Sequence, residues 1–271
     1  MIFNQKHNFE KLQSKMCKNA LGISKHTPDV TAKAELGIFP LMSKILKQIF
    51  SYWYHLQNIA QDSLLFKALE INIVMDRHNI TSFYSRIKYL LSVLDMKEYI
   101  NVKHVKNVKE YSNQFKKRFY ELYSNLKPEG RTEIYHSVKK NYQYEQYLDK
   151  LTDSKLRINI TRIRTSSHIL PIELLRRKGI KREDRICSLC SNNEIGSEIH
   201  ILCNCTNIKT INFRNQFHQK LIEFNNSWSK FKLSDIISIF LLANEDKKCL
   251  FYFSIFIGKI FKLCKTSYKP K

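Results

Sequence analysis

The stretch CSLCSNNEIGSEIHILCNC, from Cys187 to Cys205, gathers four of the chain's seven cysteines and one histidine into nineteen residues. No other stretch restricts the backbone as much, because side chains that share one ion must converge on a single point. Cys187 and Cys190 form a C-x2-C pair, the spacing at which one tight turn aims two sulfurs at the same ion. The H-x4-C interval from His200 to Cys205 fits one helical turn or a tight loop, which brings both side chains to that point. Cys203 competes for the fourth place. Cys205 is favoured because it leaves Cys203, beside Ile201 and Leu202, to pack as a small buried thiol. The expected cofactor is zinc, held by Cys187, Cys190, His200 and Cys205. With four protein ligands and no general base in evidence, the site is structural in kind rather than catalytic. Glu198, two positions before His200, is either an acceptor that orients the imidazole or an ordinary surface carboxylate.

Two other uses of these cysteines are disfavoured. The start, MIFNQKHNFEKL, lacks the apolar core and cleavage site of a secretory leader, and the cysteine count is odd. Both point to a reducing, intracellular compartment, nuclear or cytoplasmic, where disulfides do not persist. The longest apolar run, CLFYFSIFI from Cys249 to Ile257, is about half of the roughly 20 residues needed to span a bilayer. It reads as a buried helix, with no membrane partner implied.

Charge supplies the second constraint. Lys and Arg number 46 against 24 Asp and Glu, a formal net charge of +22. A field of that size attracts polyanions and disfavours self-association into homo-oligomers. Seven of the twelve arginines lie between Lys155 and Arg185, directly before the cysteine cluster. The guanidinium fork matches phosphate oxygens bidentately in a way an ammonium does not, so this placement points to nucleic acid, RNA or DNA. Arg162, Arg164, Arg176, Arg177, Arg182 and Arg185 are the expected nucleic-acid contacts. A merely solvated basic face is the plainer alternative.

The rest of the chain reads as helix. Met42, Ile45, Leu46, Ile49, Phe50, Trp53 and Leu56 line one face at a period of 3.6. Further helical patterns run over 62–75, from a cap near Thr81 through Leu94, over 102–126 as a long basic helix stopped by KPEG, and on to about Lys150. The tail carries one through Phe213, Phe217, Leu221 and Phe224, then two more over 234–243 and 247–264. Strand-period alternation never persists, and Gly and Pro are too few for a turn-rich all-β architecture. The expected fold is mainly α: an irregular multi-helix assembly with a small C-C-H-C zinc-knuckle insertion. Three segments follow, 1–150 as a helical region, 151–206 as the arginine-rich segment with the knuckle, and 207–271 as C-terminal helices.

The run YEQYLDKLTDSKLRINITRIRTSSHILPIELLRRKGIKREDRICSLC, continuing to EIHILCNC, resembles the region C-terminal to the polymerase core in non-long-terminal-repeat (LINE-type) retrotransposon reverse transcriptases. Those proteins carry an R-x-R-x-x-S-H-x-L-x-I-E pattern before a C-C-H-C knuckle. Arg162, Arg164, Ser167, His168, Leu170, Ile172 and Glu173 match the first part; Cys187, Cys190, His200 and Cys205 match the second, with Glu198 in the family's E-x-H position. The stretch CKNALGISKHTPDVTAKAELGIFPL resembles the part that follows the polymerase thumb, which makes 1–150 a thumb-distal, linker-like region. Thr206 stands where the family has proline. The chain contains no Asp-Asp pair of the kind a polymerase palm needs for its two metal ions. Nor do spaced endonuclease acids follow Cys205.

The resemblance therefore implies a non-catalytic nucleic-acid-binding fragment, RNA being the first candidate partner, with a polymerase core as a further partner within a longer element. Tyr142, Tyr144 and Tyr147 are candidates for base stacking or for ordinary packing. The competing expectation is a zinc-stapled helical protein-interaction domain, which an exposed apolar patch supports. An enzymatic role for His168 as general base lacks a nucleophile and an orienting carboxylate at recognisable spacing.

Overall fold

The computed structural model describes residues 8–100, 109–124, 133–139, 141–224 and 246–267. Twelve α-helices lie within them: α1 Asn8–Leu21, α2 Asp29–Glu35, α3 Met42–Gln57, α4 Leu64–Arg77, α5 Phe83–Val93, α6 Lys109–Ser124, α7 Glu133–Val138, α8 Tyr147–Lys150, α9 Ser154–Arg164, α10 Pro171–Arg176, α11 Ile208–Phe224 and α12 Lys247–Ser267. Strand pairing among the described residues amounts to the isolated bridges Leu36–Tyr144 and Ile186–Ile195. The mainly helical fold matches the periodicity. The pattern over 234–243 and the ends of the long basic helix, 102–108 and 125–126, lie outside the described residues.

Local chemistry sets the helix starts. Ser63 Oγ accepts from Phe66 N at 3.2 Å to open α4. α5 begins near Thr81 as expected, but its cap is the next residue, Ser82, because Ser82 and Ser85 cap each other reciprocally. Asp153 caps α9, Asn207 caps α11 and Asp246 caps α12, each carboxylate or amide oxygen accepting two backbone N–H groups that the first turn leaves free.

The chain forms two units. The first takes Met1–Gln13 and Ile38–Leu126. In it α3 packs on α6 and α4 on α5, around buried Leu46, Phe50, Trp53, Ile87 and Phe115. The second takes Ser14–Gly37 and Lys127–Lys271. There α12 lies along α9 and α11, and the stacked rings of Phe217 and Phe256, 5.3 Å apart, mark its centre. Two polar links register α12 on α9: Asn159 Nδ2 donates to Ser254 O at 3.2 Å, and Ser254 Oγ donates to Leu156 O at 2.7 Å.

These units cut across the three expected segments. Residues 14–37 join the arginine-rich segment instead of the N-terminal region, and 151–206 shares one core with α11 and α12. The physical reason is a buried charge cluster. Arg164, on α9, is 1% exposed; its Nε donates to Glu35 Oε1 at 2.7 Å and its Nη2 lies 2.8 Å from Glu145 Oε2. Tyr147 OH donates to the same Glu35 oxygen at 2.7 Å and meets Thr161 Oγ1 at 2.8 Å. Lys139 Nζ reaches Glu145 Oε1 at 2.6 Å. Burial works against the Arg164 charge, but Glu35 and Glu145 outweigh it and hold its pKa above the ordinary value. Breaking such a buried pair would strand a charge away from water, so the ion pairs of Arg164 with Glu35 and Glu145 tie α9 to α2 and to the segment that carries Glu145 and Tyr147.

Candidate metal centre

The cysteine-rich stretch is a lobe of the second unit's core. Antiparallel bonds open it: Cys187 N donates to Glu194 O and Gly196 N to Arg185 O, both at 2.8 Å. Between them the chain turns over Cys190 and through Asn193, whose φ of 52° is one that asparagine tolerates. The turn directs both thiols inward, and Leu189 N donates to Cys187 Sγ at 3.4 Å.

The second pair is set by an unusual helical turn. From His200 to Asn204 the backbone is a π-helix, closed by Cys205 N donating to His200 O at 2.6 Å. An i to i+5 bond stacks His200 and Cys205 on one side, which an α-helical turn does not do at this spacing. Arg214 on α11 donates to the carbonyls of Cys203 and Cys205, and Asn207 Nδ2 donates to Leu189 O at 2.7 Å, closing the two halves together.

The result is one cluster. The ligand atoms of Cys187, Cys190, His200 and Cys205 all lie within 4.8 Å of one another and could hold a metal ion. Cys187 Sγ and Cys205 Sγ are 3.9 Å apart, and Cys190 Sγ is 3.4 Å from His200 Nε2. The Cys187 thiol, donating to Cys205, is pushed up, while Cys205 is lowered to about 5 by that bond, helped by N–H donation from Asn207. A cation entering the cluster would displace the proton that links the two sulfurs. Cys203 stays outside the cluster and is only half-buried, not the fully packed thiol expected of it. None of the seven cysteines is in a disulfide.

Two glutamates differ from expectation. His200 Nδ1 is partnered by Glu194, whose Oε2 lies 3.0 Å away. Glu198, in the E-x-H position, turns instead into the core, where its Oε1 accepts from His168 Nε2 at 2.8 Å. Burial works to raise the Glu198 carboxyl, but His168 and the nearby charge of Arg182 hold it below the ordinary value. Spacing along the chain could not reveal either partner, since 30 residues separate His168 from Glu198. His168 is wholly buried, and its Nδ1 accepts from Leu170 N at 3.3 Å. Both ring nitrogens are thus occupied in the resting fold, which leaves the imidazole a structural link between the TSSH turn and the knuckle.

A second link runs beside it. Ile172 N donates to Gly196 O at 3.1 Å, and Gly196 sits under Pro171 at the start of α10. A Cβ at position 196 would stand 2.5 Å from Pro171 Cβ and 3.3 Å from Cys187 Cα. Gly196→Ala is expected to force α10 off the knuckle and lower stability by about 1–3 kcal/mol, read as a shifted denaturation midpoint.

The arginines divide sharply. Arg164 does not meet phosphate as its place in the basic segment suggests: it is sealed in the charge cluster with Glu35 and Glu145, out of reach of any external ligand. Arg162 donates to Gly22 O at 2.9 Å, Arg176 clamps Glu173 through both carboxylate oxygens, and Arg185 donates to Ile180 O at 2.9 Å. Arg177 is exposed while one Nη2 donates to His168 O at 2.8 Å, and Arg182 is exposed on a 3-10 turn. Lys178 and Lys181 are exposed between them. Of the three tyrosines, Tyr142 and Tyr147 are buried, and Tyr144 is exposed with its OH on Asp149.

Fold and site together define a mainly helical protein with a Cys3His cluster that could hold a metal ion. Comparison with protein-family models, with curated proteins and with solved structures returned no match. Among the described residues no helix is long and apolar enough to cross a membrane.

Proposed function

We propose that Cys187, Cys190, His200 and Cys205 hold a structural zinc ion, and that the second unit is a non-catalytic nucleic-acid-binding module, RNA being its first candidate. The proposed ancestry is the post-polymerase region of a LINE-type reverse transcriptase. The geometry of the cluster carries the zinc assignment. In a tetrahedron with Zn–S of about 2.3 Å and Zn–N of about 2.0 Å, two sulfurs lie about 3.8 Å apart and a sulfur and a nitrogen about 3.5 Å. One sulfur–sulfur separation here is 3.9 Å and one sulfur–nitrogen separation 3.4 Å, with all four ligand atoms within 4.8 Å of one another. Three sulfurs and one imidazole suit zinc better than hard cations such as calcium or magnesium. When bound, the ion supplies rigidity: it fixes the lobe on which Gly196 and Glu198 hold the α10 segment.

The nucleic-acid assignment rests on the exposed cations Arg177, Lys178, Lys181 and Arg182, which leave the fold directly between the α10 anchor and Cys187. His168 and Glu198, one from each half of the motif, are hydrogen-bonded at 2.8 Å, which supports reading the arginine segment and the knuckle as one module. Phosphate contacts of this sort give salt-sensitive affinity with little sequence reading. RNA or DNA binding is expected to weaken by orders of magnitude between about 50 and 200 mM salt. Arg177→Ala with Arg182→Ala should flatten the log–log slope by about 2, roughly one per lost contact. A salt-independent affinity overturns the proposal.

A second reading, a protein-interaction domain, is favoured by one observation in the first unit. Leu64, Ile71, Val74 and Ile80 are all exposed, Leu64 at 84%, and the last three line a shallow groove of about 390 Å³ along α4. An amphipathic helix normally turns such residues inward. A flat salt response in the experiment above favours this reading.

A further inference from the structure

We infer that Glu194 is the positioning residue of the metal centre: its carboxylate fixes the ring orientation and tautomer of His200 so that Nε2, and not Nδ1, faces the three sulfurs. The inference rests on the metal reading above and adds to it the residue that sets the geometry of the imidazole ligand.

A neutral imidazole has one N–H and one lone pair, and either nitrogen can ligate a cation. Which one does so is decided by what the other nitrogen meets. Here Nδ1 meets Glu194 Oε2 at 3.0 Å while Nε2 lies 3.4 Å from Cys190 Sγ. A carboxylate only accepts, so Nδ1 must carry the proton and Nε2 the lone pair. The same bond makes Nε2 more basic toward a cation.

Glu194 is itself held in place from two sides. Its carbonyl oxygen accepts from Cys187 N at 2.8 Å, which puts residue 194 in register with the first ligand. Its other carboxylate oxygen accepts from Asn192 Nδ2 at 3.3 Å. The side chain stands half in solvent, at 50%, against 3% for the His200 ring. Replacing it therefore removes a contact without opening the core. Glu198 cannot substitute for it, being committed to His168 on the opposite, buried side.

The test uses the full chain, loaded with zinc or cobalt(II). Glu194→Ala should bind zinc 10–100-fold more weakly in competition with a chromophoric chelator, the cost typical of losing such an outer partner. Glu194→Gln, whose amide oxygen can still accept from Nδ1–H, should recover part of that loss. Glu183→Gln, an equal charge change on the exposed 3-10 turn, should bind as the wild type does. In the loaded wild type, nitrogen-15 shifts of His200 should report a protonated Nδ1 and a ligated Nε2; in Glu194→Ala this signature should blur into a mixture. Equal zinc affinity in the wild type and Glu194→Ala overturns the inference alone, as does ligation through Nδ1. A wild-type chain that takes up no metal overturns the metal reading and the inference with it.

Discussion

Arg164→Ala is expected to destabilise the second unit by about 3–5 kcal/mol, the cost of stranding buried carboxylates without their counter-charge. Glu35 is wholly buried and would keep only the Tyr147 hydroxyl, while Glu145 would keep only Lys139. The Glu35 carboxylate is cut off from water, so its desolvation cost would stand uncompensated, whereas Glu145, 14% exposed, keeps some contact with solvent. The measurement is chemical denaturation with an unchanged m-value and a lowered midpoint. A double change, Arg164→Met with Glu35→Gln, should lose much less than the two single costs added, because it removes both charges at once. The contrast with the exposed arginines is the sharpest feature of the prediction. Arg177→Ala should shift stability by roughly 0.5 kcal/mol or less while weakening nucleic-acid binding, as surface substitutions do. If Arg164→Ala instead left stability intact, the charge cluster would not be what joins 14–37 to the arginine segment.

Removal of the metal is the second large effect. Cys187 and Cys205 are buried with Ile201, Leu202 and Phe217 in one apolar core, where each thiolate finds little beyond a backbone N–H, from Leu189 and Asn207, to answer its charge. The zinc-loaded chain should carry about one ion, and a strong chelator should strip it together with several kcal/mol of stability. Isolated zinc-binding peptides owe about 10–16 kcal/mol to the metal, but here the α9–α11–α12 core persists without it and limits the loss. Cys205→Ser should abolish tight uptake, and Cys203→Ser should leave it unchanged because that thiol lies outside the cluster. Affinity should fall as pH falls, since protons compete with the ion for each thiolate. Equal zinc uptake by the Cys205 and Cys203 variants would undo the ligand set.

Much of this was legible along the chain. Period-3.6 apolar faces announced α3, α5, α11 and α12, because a helix that buries one stripe must repeat it every turn. The convergence of Cys187, Cys190, His200 and Cys205 was legible too, since C-x2-C and H-x4-C are local spacings and a local turn delivers them. α2, only seven residues long, gave no comparable sign, and α1, although fourteen residues long, was not among the patterns read along the chain.

What the chain alone determined, then, is everything written in neighbouring residues: helical content, four convergent cysteine and histidine side chains, a surplus of positive charge. Only the tertiary structure decided which charges face water and which glutamate serves which histidine. Arg164 and Arg177 are the same residue type in the same basic segment, yet one is enclosed by Glu35, 129 positions away, and the other is open to solvent. Glu194 and Glu198 both sit within six residues of His200, and the choice between them follows from the His168 ring behind Glu198. Electrostatic partnership depends on distance through space, and distance through space between remote residues is set only when the core closes.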